Sequence, residues 1–526
     1  MTARGEATGQ ADATLRDVLR DHLAHAPEAP FLIAPETGRT LRYADIAAET
    51  AALAAMLDAR GLAAGAVVGL FLPNGLRTTA LFLATMLAGR VVAPFNLIAQ
   101  KSQLAHCLDH GDARIVFTTA QERARLDEAL AALPDARRHA IEIVAVDPDT
   151  PGATADAASD PGRALAGLPP IDTASPALLM YTSGTTGLPK GALLTHGNLV
   201  AGARAVAAWH GLGRDDRCLS SLPLYHINGQ CIATLTPFVS GGSVVAPRRF
   251  SVSQWWPLVD AHRPTWLNMV PTIIAYLINA TDGGDGTRRA FVRFGRSASA
   301  PLPPEQHRAF EARFGVGVVE AMGMTECASV VLCNPQDAPR RKIGSPGLPC
   351  GVELKVVKVG DPDDAPLPDG VPGELLLRGP NVMAGYYKEP ELTAAAITRD
   401  GWLRTGDLGY RDADGFYFIT GRLKELIIKG GENIAPREID EALLAHEAVL
   451  EAAAVGVPDP HYGQEILACV VLKQGRRATE DDIREHCLRE LGRYKTPRYL
   501  RFVDALPKGA SGKVQRLKLV EIGEAR

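Results

Sequence analysis

The sequence contains no run of about 18 consecutive apolar residues, the length that a membrane-spanning helix requires. Its first residues, MTARGEATGQADATLRD, have no apolar core of the kind found in secretory signal peptides. Acidic and basic residues nearly balance, with 60 Asp and Glu against 56 Lys and Arg. We therefore expect no membrane span and no signal peptide. The near-neutral charge also argues against nucleic acid as the main partner.

Cysteine is scarce, with 8 residues in a chain of 526 and no Cys-x-x-Cys pair. Scattered cysteines without metal-ligand spacing favour a reducing compartment and argue against structural zinc. We therefore expect a cytoplasmic protein. A chain of this length is too long for one typical domain, which predicts at least two.

A Walker A loop, G-x-x-x-x-G-K-[ST], is also missing, although residues 181–198 are rich in groups that bind phosphate. This stretch reads YTSGTTGLPKGALLTHGN, and Lys190 is its one lysine. Apolar residues before it predict a buried strand, and the Ala-rich segment from about Asn198 to Trp209 predicts a helix. A strand, a loop rich in Gly, Ser and Thr, and a helix form an arrangement suited to phosphate. An ordinary polar loop is the alternative, which the biased composition disfavours.

Strands and helices alternate from residue 40 to residue 146, which predicts a mostly parallel sheet covered on both faces. Residues 373–409 have a β-rich character. The last hundred or so residues predict a small α+β unit, with Pro436 at a helix start and a capping box at Thr479. The fold class is therefore α/β, with a large N-terminal domain, a β-rich subdomain and a small C-terminal domain.

Three side chains follow predicted strands and are candidates for chemistry. His226 ends the segment CLSSLPLYH, where ligands of parallel sheets gather, although a lone histidine is more often structural. Glu326 ends VVEAMGMTE and suits magnesium, because a hard cation that also contacts phosphate usually takes one or two protein carboxylates. Asp407, in WLRTGDLG, follows a Thr-Gly turn, where a carboxylate could accept hydrogen bonds from ribose hydroxyls, but this signal alone is weak. A surface glutamate remains the alternative for Glu326.

About eight such motifs occur in the order found in the adenylate-forming superfamily, and the chain resembles its acyl-CoA synthetase branch. The resemblance implies an ATP-dependent ligase that converts a small-molecule carboxylic acid, ATP and coenzyme A into acyl-CoA, AMP and pyrophosphate through an acyl-adenylate. The implied cofactors are ATP, Mg²⁺ and coenzyme A. It also implies an adenylation domain at residues 1–421 and a mobile domain at residues 422–526 that pivots near Lys424 and carries the catalytic lysine.

The resemblance also assigns roles to individual residues. The catalytic residues are Lys513, Glu326, Thr185 and Lys190, with the metal held by Glu326 and Thr185. The ATP-binding residues are Thr182, Ser183, Gly184, Thr186, Gly187, Ser299, Ala300, Glu320, Ala321, Met322, Gly323, Thr325, Asp407 and Arg422. The acyl-substrate residues are His226, Asn228, Gly229, Met269, Arg296, Ser297 and Ser329. Coenzyme A is expected at Lys429, Gly430 and Gly431. Met322 is a departure, since the family usually has an aromatic residue there.

The acid is less closely defined than the reaction. Segments around Arg296 and after Glu320 resemble ligases for oxalate and other small acids, but Ser329, Val330 and Val331 offer no cation to a second carboxylate. We therefore expect a mainly apolar fatty or aromatic acid, with an oxalate-like acid as an alternative. Two different functions also fit these motifs: loading of a separate carrier protein, and nucleotide binding without catalysis. The sequence leaves the oligomeric state open, a homodimer included.

Overall fold

Strands and helices alternate through most of the computed structural model, which describes residues 13–153, 162–182, 188–280, 289–508 and 514–524. The strands are β1 Pro30–Ala34, β2 Arg39–Arg42, β3 Val67–Phe71, β4 Val91–Pro94, β5 Ile115–Thr118, β6 Glu142–Ala145, β7 Pro176–Thr182, β8 Lys190–Thr195, β9 Arg217–Leu219, β10 Ser243–Val245, β11 Trp266–Met269, β12 Phe294–Ser297, β13 Val318–Met324, β14 Ser329–Cys333, β15 Leu348–Pro349, β16 Glu353–Val357, β17 Gly373–Arg378, β18 Gly385–Tyr386, β19 Leu403–Arg411, β20 Tyr417–Arg422, β21 Ile427–Lys429, β22 Glu432–Ile434, β23 Val449–Asp459, β24 Gly463–Leu472 and β25 Tyr499–Phe502.

The helices are α1 Leu15–His25, α2 Tyr43–Asp58, α3 Leu76–Leu87, α4 Lys101–His110, α5 Arg123–Leu130, α6 Asp135–His139, α7 His196–His210, α8 Thr236–Ser240, α9 Val252–His262, α10 Pro271–Asn279, α11 Pro304–Phe314, α12 Pro390–Ala396, α13 Pro436–Leu444, α14 Glu480–Lys495 and α15 Leu517–Glu524. Short 3₁₀ segments lie at Arg163–Leu165, Thr325–Cys327, Ala338–Arg340 and Leu423–Glu425, and Asn228–Leu235 is π-helical. No helix in the described part of the chain is both long and apolar enough to cross a bilayer.

Two large sheets form the body of the molecule. One has nine strands in the order β15-β14-β13-β12-β11-β9-β10-β1-β2, and the other has seven in the order β18-β8-β7-β4-β3-β5-β6. Most central neighbours are parallel, and antiparallel strands close the edges. The largest hydrophobic cluster joins residues of both sheets with those of α2, α3 and α7. In α3 every residue except Arg77 is buried, as expected of a helix covered on all sides.

The remaining strands form two smaller sheets. Strands β16, β17, β19 and β20 make an antiparallel sheet, which is the predicted β-rich subdomain. Strands β22, β21, β24, β23 and β25 make the sheet of the C-terminal unit, whose two hydrophobic clusters contain only residues from Ile427 onward. The predicted fold class is thereby confirmed. The boundary between residues 421 and 422 stays a prediction, and it falls just before the 3₁₀ segment Leu423–Glu425.

One local prediction was wrong. The phosphate-binding stretch was expected to be one loop between a strand and a helix, but Lys190–Thr195 forms β8, antiparallel to β7. The stretch is therefore a β-hairpin, and α7 begins only after it. Thr195 caps α7, because its hydroxyl accepts from the Asn198 amide and the Asn198 side chain accepts from the Thr195 amide. The polar residues of this stretch suggested one long loop, so the strand formed by its apolar segment GALLT was not predicted.

Candidate active site

Glu326 lies where three chain segments meet. Its Oε1 accepts a hydrogen bond from the Tyr386 hydroxyl at 3.0 Å, and its carbonyl oxygen accepts from the Met383 amide at 2.8 Å. The Lys190 ammonium sits 5.3 Å from the centre of the Tyr386 ring. Lys190 also pairs with Thr182 across the hairpin. The residues on both sides of the predicted phosphate-binding loop are thus joined through Tyr386 to the predicted magnesium ligand.

Asp407 and Arg422 form an ion pair next to this group. The Arg422 Nε donates to Asp407 Oδ1 at 2.6 Å, and the Asp407 side chain is almost fully buried. The nearby carboxylates of Asp407, Glu425 and Glu326 raise the pKa of Arg422, with Asp407 as the largest cause. Burial raises the pKa of the Cys327 thiol well above its ordinary value, with a further contribution from Glu326 and Asp407. These electrostatic contacts place Glu326, Asp407 and Arg422 within one site.

Strand β13 carries the residues predicted to hold adenine. Glu320 is buried, and its Oε1 accepts from the Leu302 amide at 3.2 Å. Burial raises its pKa to about 7, while Arg437 and the Leu302 amide act in the opposite direction. A Cβ on Gly323 would lie 1.6 Å from the Ser329 carbonyl oxygen, so only glycine fits that position. Ala321, Met322 and Thr325 lie on the same run, between Glu320 and Glu326.

Backbone strain is concentrated around these strands. Seven non-glycine residues in the described part of the chain have positive φ, and Ser299, Ala328 and Ser329 are three of them. Ser299 has φ +76° and, with Ala300, forms the turn after β12, while Ala328 and Ser329 lead into β14. Such strain costs of order 1–3 kcal/mol per residue and is concentrated at functional sites.

A chain of buried amides and hydroxyls lies beside the Ser299 turn. The Asn228 Nδ2 donates to Ser299 Oγ at 3.0 Å, and the Asn268 Nδ2 donates to Asn228 Oδ1 at 3.0 Å. Ser220 Oγ lies 3.5 Å from the Asn268 Nδ2. A Cβ on Gly229 would lie 2.3 Å from the Pro223 carbonyl oxygen. Glycine therefore allows the start of the π-helical segment to pack closely against the turn that contains His226. The predicted acyl pocket is thus lined on this side by polar groups.

Arg296 is the charged member of this region. It is 1% exposed and stands directly opposite Asn268 in the parallel register of β11 and β12, so both side chains leave the same face. Its Nε and Nη1 make no hydrogen bond to any described residue, and among those residues no carboxylate pairs with it. Its electrostatic neighbours are the thiols of Cys333, Cys350 and Cys218. Burial lowers the pKa of Arg296.

Two predicted acyl-site residues lie elsewhere. Met269 is fully buried in the hydrophobic cluster on the other face of the nine-stranded sheet, where its methyl group contacts Gly295. Ser297 follows Arg296 in β12, so its side chain leaves the face opposite to Arg296. The structure therefore brings Asn228, Arg296 and Ser299 to one side of the sheet, away from Met269 and Ser297.

Several predicted residues lie outside the described part of the chain: Ser183, Gly184, Thr185, Thr186, Gly187 and Lys513. The predicted hinge residue Lys424 lies in the 3₁₀ segment between β20 and β21. Four basic residues near the C-terminus form ion pairs with acidic residues. These pairs are Lys495–Glu438, Arg498–Asp459, Lys508–Glu451 and Arg516–Asp440.

Two residues of the site were missed by sequence reasoning. Tyr386, whose hydroxyl donates to Glu326, lies within residues 373–409, for which only a β-rich character was predicted. Asn268 was not predicted as a site residue, although a lone amide within the apolar run TWLNMV is a signal for a buried polar contact.

Comparison with known proteins identifies the family of the chain. The model of the AMP-binding enzyme family matches residues 19–387, and that of the AMP-binding enzyme C-terminal domain matches residues 438–513. The chain belongs to the AMP-binding enzymes, the adenylate-forming superfamily that includes the acyl-CoA synthetases. This membership confirms the predicted AMP-forming acid–thiol ligase and its use of ATP, Mg²⁺ and coenzyme A.

Individual relatives extend the comparison to almost the full chain. The ligase is 53% identical to sulfoacetate–CoA ligase of Cupriavidus necator over 96% of this chain and 97% of that protein. It is 35% identical to oxalate–CoA ligase of Arabidopsis thaliana over 89% of this chain and 90% of that protein. ATP-bound MatB from Rhodopseudomonas palustris superimposes with a TM-score of 0.85 at 30% identity, covering 98% and 99% of the two chains.

Proposed function

We propose that this ligase activates a short carboxylic acid that carries a second anionic group, with sulfoacetate as the best candidate. The observation that carries the proposal is the buried Arg296 guanidinium, which has no carboxylate partner among the described residues. An uncompensated buried charge costs several kcal/mol, and an anion on the substrate would offset that cost. The 53% identity to a sulfoacetate–CoA ligase supports the same class of acid.

The polar lining beside Arg296 supports a small substrate. Asn228, Asn268 and Ser299 are tied to one another by hydrogen bonds, so this side of the region is polar. Sulfonate oxygens accept hydrogen bonds, and a guanidinium matches their geometry with parallel N–H donors. A long alkyl chain would instead cover these polar groups with apolar surface and offer the guanidinium no acceptor. Val330 and Val331 offer no cation, so the second anion is expected on the Arg296 side.

Formation of the acyl-adenylate is the first step. A carboxylate is a poor electrophile, and its attack on the α-phosphate of ATP releases pyrophosphate and creates a better leaving group. We assign charge stabilisation in this step to Lys190 and to Lys513. Glu326 is the proposed magnesium ligand, since its Oε1 is oriented by Tyr386 and one carboxylate suits an ion that also contacts phosphate oxygens. Bound magnesium would neutralise the phosphate charges.

Other residues hold the nucleotide in this proposal. Asp407, whose carboxylate is fixed by Arg422, accepts hydrogen bonds from the ribose hydroxyls. Glu320 and the Ser299–Ala300 turn frame the adenine, and Met322 covers one ring face by dispersion. His226 lies beside the reacting carboxylate. Much of the acceleration then comes from holding the two reactants in line.

Thiolysis of the adenylate by coenzyme A is the second step. We propose that residues 422–526 rotate about Lys424 and present the segment Lys429–Gly431 to the adenylate. The cytoplasm is the proposed compartment, which agrees with eight free, buried cysteines. A homodimer stays a prediction.

A panel of acids tests the proposed function. Purified enzyme with ATP and Mg²⁺ is offered sulfoacetate, oxalate, malonate, acetate, octanoate and benzoate, with and without coenzyme A, and the products are identified by mass. We expect a coenzyme A thioester with the highest kcat/KM for sulfoacetate. Preference for octanoate or benzoate would restore the apolar acid expected from the sequence. Acyl-adenylate without thioester would favour carrier loading.

A further inference from the structure

The loop formed by Lys429, Gly430 and Gly431 is held by a tyrosine from a distant helix. The Tyr494 hydroxyl donates a hydrogen bond to the Lys429 carbonyl oxygen. Tyr494 reaches this position because Gly492, with φ +72°, breaks the helical path of α14 two residues earlier. On the other side, the Gly430 amide donates to the Tyr462 carbonyl oxygen at 2.8 Å. The loop is therefore fixed by two contacts that come from outside it.

Lys429 is buried within the same group of residues. It is 6% exposed, and its ammonium lies 2.5 Å from Glu465 Oε1 and donates to the Tyr494 carbonyl oxygen at 3.0 Å. The ammonium also lies 5.1 Å from the Tyr494 ring centre and 5.6 Å from that of Tyr462. A lysine with this many internal partners is not available to a phosphate group, so a direct contact between Lys429 and coenzyme A is disfavoured.

We infer that Tyr494 is a positioning residue for the coenzyme A step. With Lys429 and Glu465 it forms a latch that holds Gly430 and Gly431 in the shape required to admit the pantetheine arm. This inference rests on the proposed function, in which Lys429–Gly431 faces the adenylate during thiolysis. In this inference Lys429 does not contact coenzyme A directly. It acts indirectly, because it helps to fix the conformation of the loop.

The shape of the loop explains what the latch maintains. Gly430 and Gly431 have φ of +55° and +88°, a backbone region that disfavours residues with a Cβ. A Cβ on Gly430 would lie 3.1 Å from the Tyr494 hydroxyl oxygen, whereas one on Gly431 would meet no atom within 4 Å. Tyr494 thus packs against Gly430, whereas the space beside Gly431 is empty. Ile428, Tyr462 and Tyr494, which lie beside the loop, are exposed, with 53%, 46% and 37% of their surfaces accessible.

Removal of one hydroxyl tests the latch. Tyr494→Phe keeps the exposed ring and deletes only the hydrogen bond to Lys429. We expect the KM for coenzyme A to rise about tenfold, the effect of losing one ordinary hydrogen bond. Acid-dependent ATP–pyrophosphate exchange, which reports adenylate formation alone, should stay within twofold of the unaltered enzyme. Glu465→Gln, which weakens the hold on Lys429, should also raise the KM for coenzyme A and leave the exchange within twofold of the unaltered enzyme.

Tyr499→Phe is the matched control, because it makes the same change in β25 of the C-terminal sheet and the Tyr499 hydroxyl bonds to no described residue. It should leave both quantities unchanged. An unaltered KM for coenzyme A in Tyr494→Phe overturns the inference, and so does an equal loss of exchange and thioester formation, which indicates a merely structural role. If the unaltered enzyme makes no coenzyme A thioester, the proposed function fails first, and the inference falls with it.

Discussion

Arg296 carries a positive charge into a region where the described residues give it thiols, amides and hydroxyls but no carboxylate. Burial also lowers the pKa of neighbouring His210 to about 3, and the positive charge of Arg296 contributes, so the imidazole stays neutral. A cation surrounded by neutral groups is costly to keep, and mutation to a neutral residue of similar size would be tolerated unless function requires the charge. Arg296 is therefore the residue at which the proposed acid specificity is most directly tested.

Arg296→Met should separate acids with a second anion from acids without one. We expect kcat/KM for sulfoacetate to fall by about 10- to 100-fold, the effect of removing charge-assisted hydrogen bonds. For propanoate, which has similar length and one charge, kcat/KM should stay level or rise. Steady-state kinetics with both acids measure the change.

Arg296→Lys is the matched variant, since it keeps the charge but loses the planar pair of donors. Its kcat/KM for sulfoacetate should lie between those of the unaltered enzyme and Arg296→Met. A similar loss with both acids in Arg296→Met would show that the guanidinium supports the fold of the pocket and does not bind the second anion.

At the scale of secondary structure, the pairing of β13 with β14 fixes the proposed adenine region and the start of the Glu326 turn. Gly323 is the point of closest approach, because a Cβ there would overlap the Ser329 carbonyl oxygen. Gly323→Ala must push the two strands apart. We expect a loss of at least about 2 kcal/mol in stability and a larger loss of pyrophosphate exchange.

Gly213→Ala is the control for that variant, since no atom lies within 4 Å of a Cβ there and its φ is not positive. Its thermal unfolding and its exchange rate should match those of the unaltered protein. Normal exchange in Gly323→Ala would contradict the assigned role of this strand pair.

The elements differ in how well the sequence predicted them. Helices α13 and α14 were predicted because a proline at the first position of one and a capping box before the other mark where they begin. Strand β8 was not, because its six residues gain their stability from pairing with β7, a contact that no local pattern reports. The same reason applies to the site: Glu326 and Asp407 follow recognisable turns, whereas the contact between Tyr386 and Glu326 spans 60 residues. Local sequence signals predict where a residue lies in a strand, helix or turn. Its contacts with residues of other elements become known only from the folded chain.

At the scale of the whole molecule, Glu320 links the proposed nucleotide site to the C-terminal unit. Its buried carboxyl is influenced by Arg437 of α13, whose guanidinium also donates to the Ile419 carbonyl oxygen of β20. The charge state of Glu320 therefore depends on elements from both parts of the chain. Its Oε2 has no hydrogen-bond partner among the described residues, so ionisation is not compensated there.

This arrangement predicts a pH dependence of stability. Because burial raises the pKa of Glu320 from 4.5 to about 7, the folded protein keeps a proton that the unfolded chain releases between these values. The resulting stabilisation is complete below the unfolded pKa and is lost as pH rises through about 7. Glu320→Gln keeps an acceptor for the Leu302 amide and cannot ionise. Relative to this variant, the free energy of unfolding of the unaltered protein should fall by about 3 kcal/mol between about pH 5 and about pH 8.

Thermal unfolding of the two proteins across this pH range measures the effect. As pH rises, the midpoint temperature of unfolding of Glu320→Gln should increase relative to that of the unaltered protein. The control Glu485→Gln, at an exposed position of α14, should unfold at the same temperature as the unaltered protein at every pH. Parallel curves for Glu320→Gln would mean that the carboxyl is already ionised in the folded state at low pH. Arg437 would then fully compensate the negative charge of Glu320. The interaction between the C-terminal unit and the proposed nucleotide site would in that case be stronger than the burial and single hydrogen bond of Glu320 indicate.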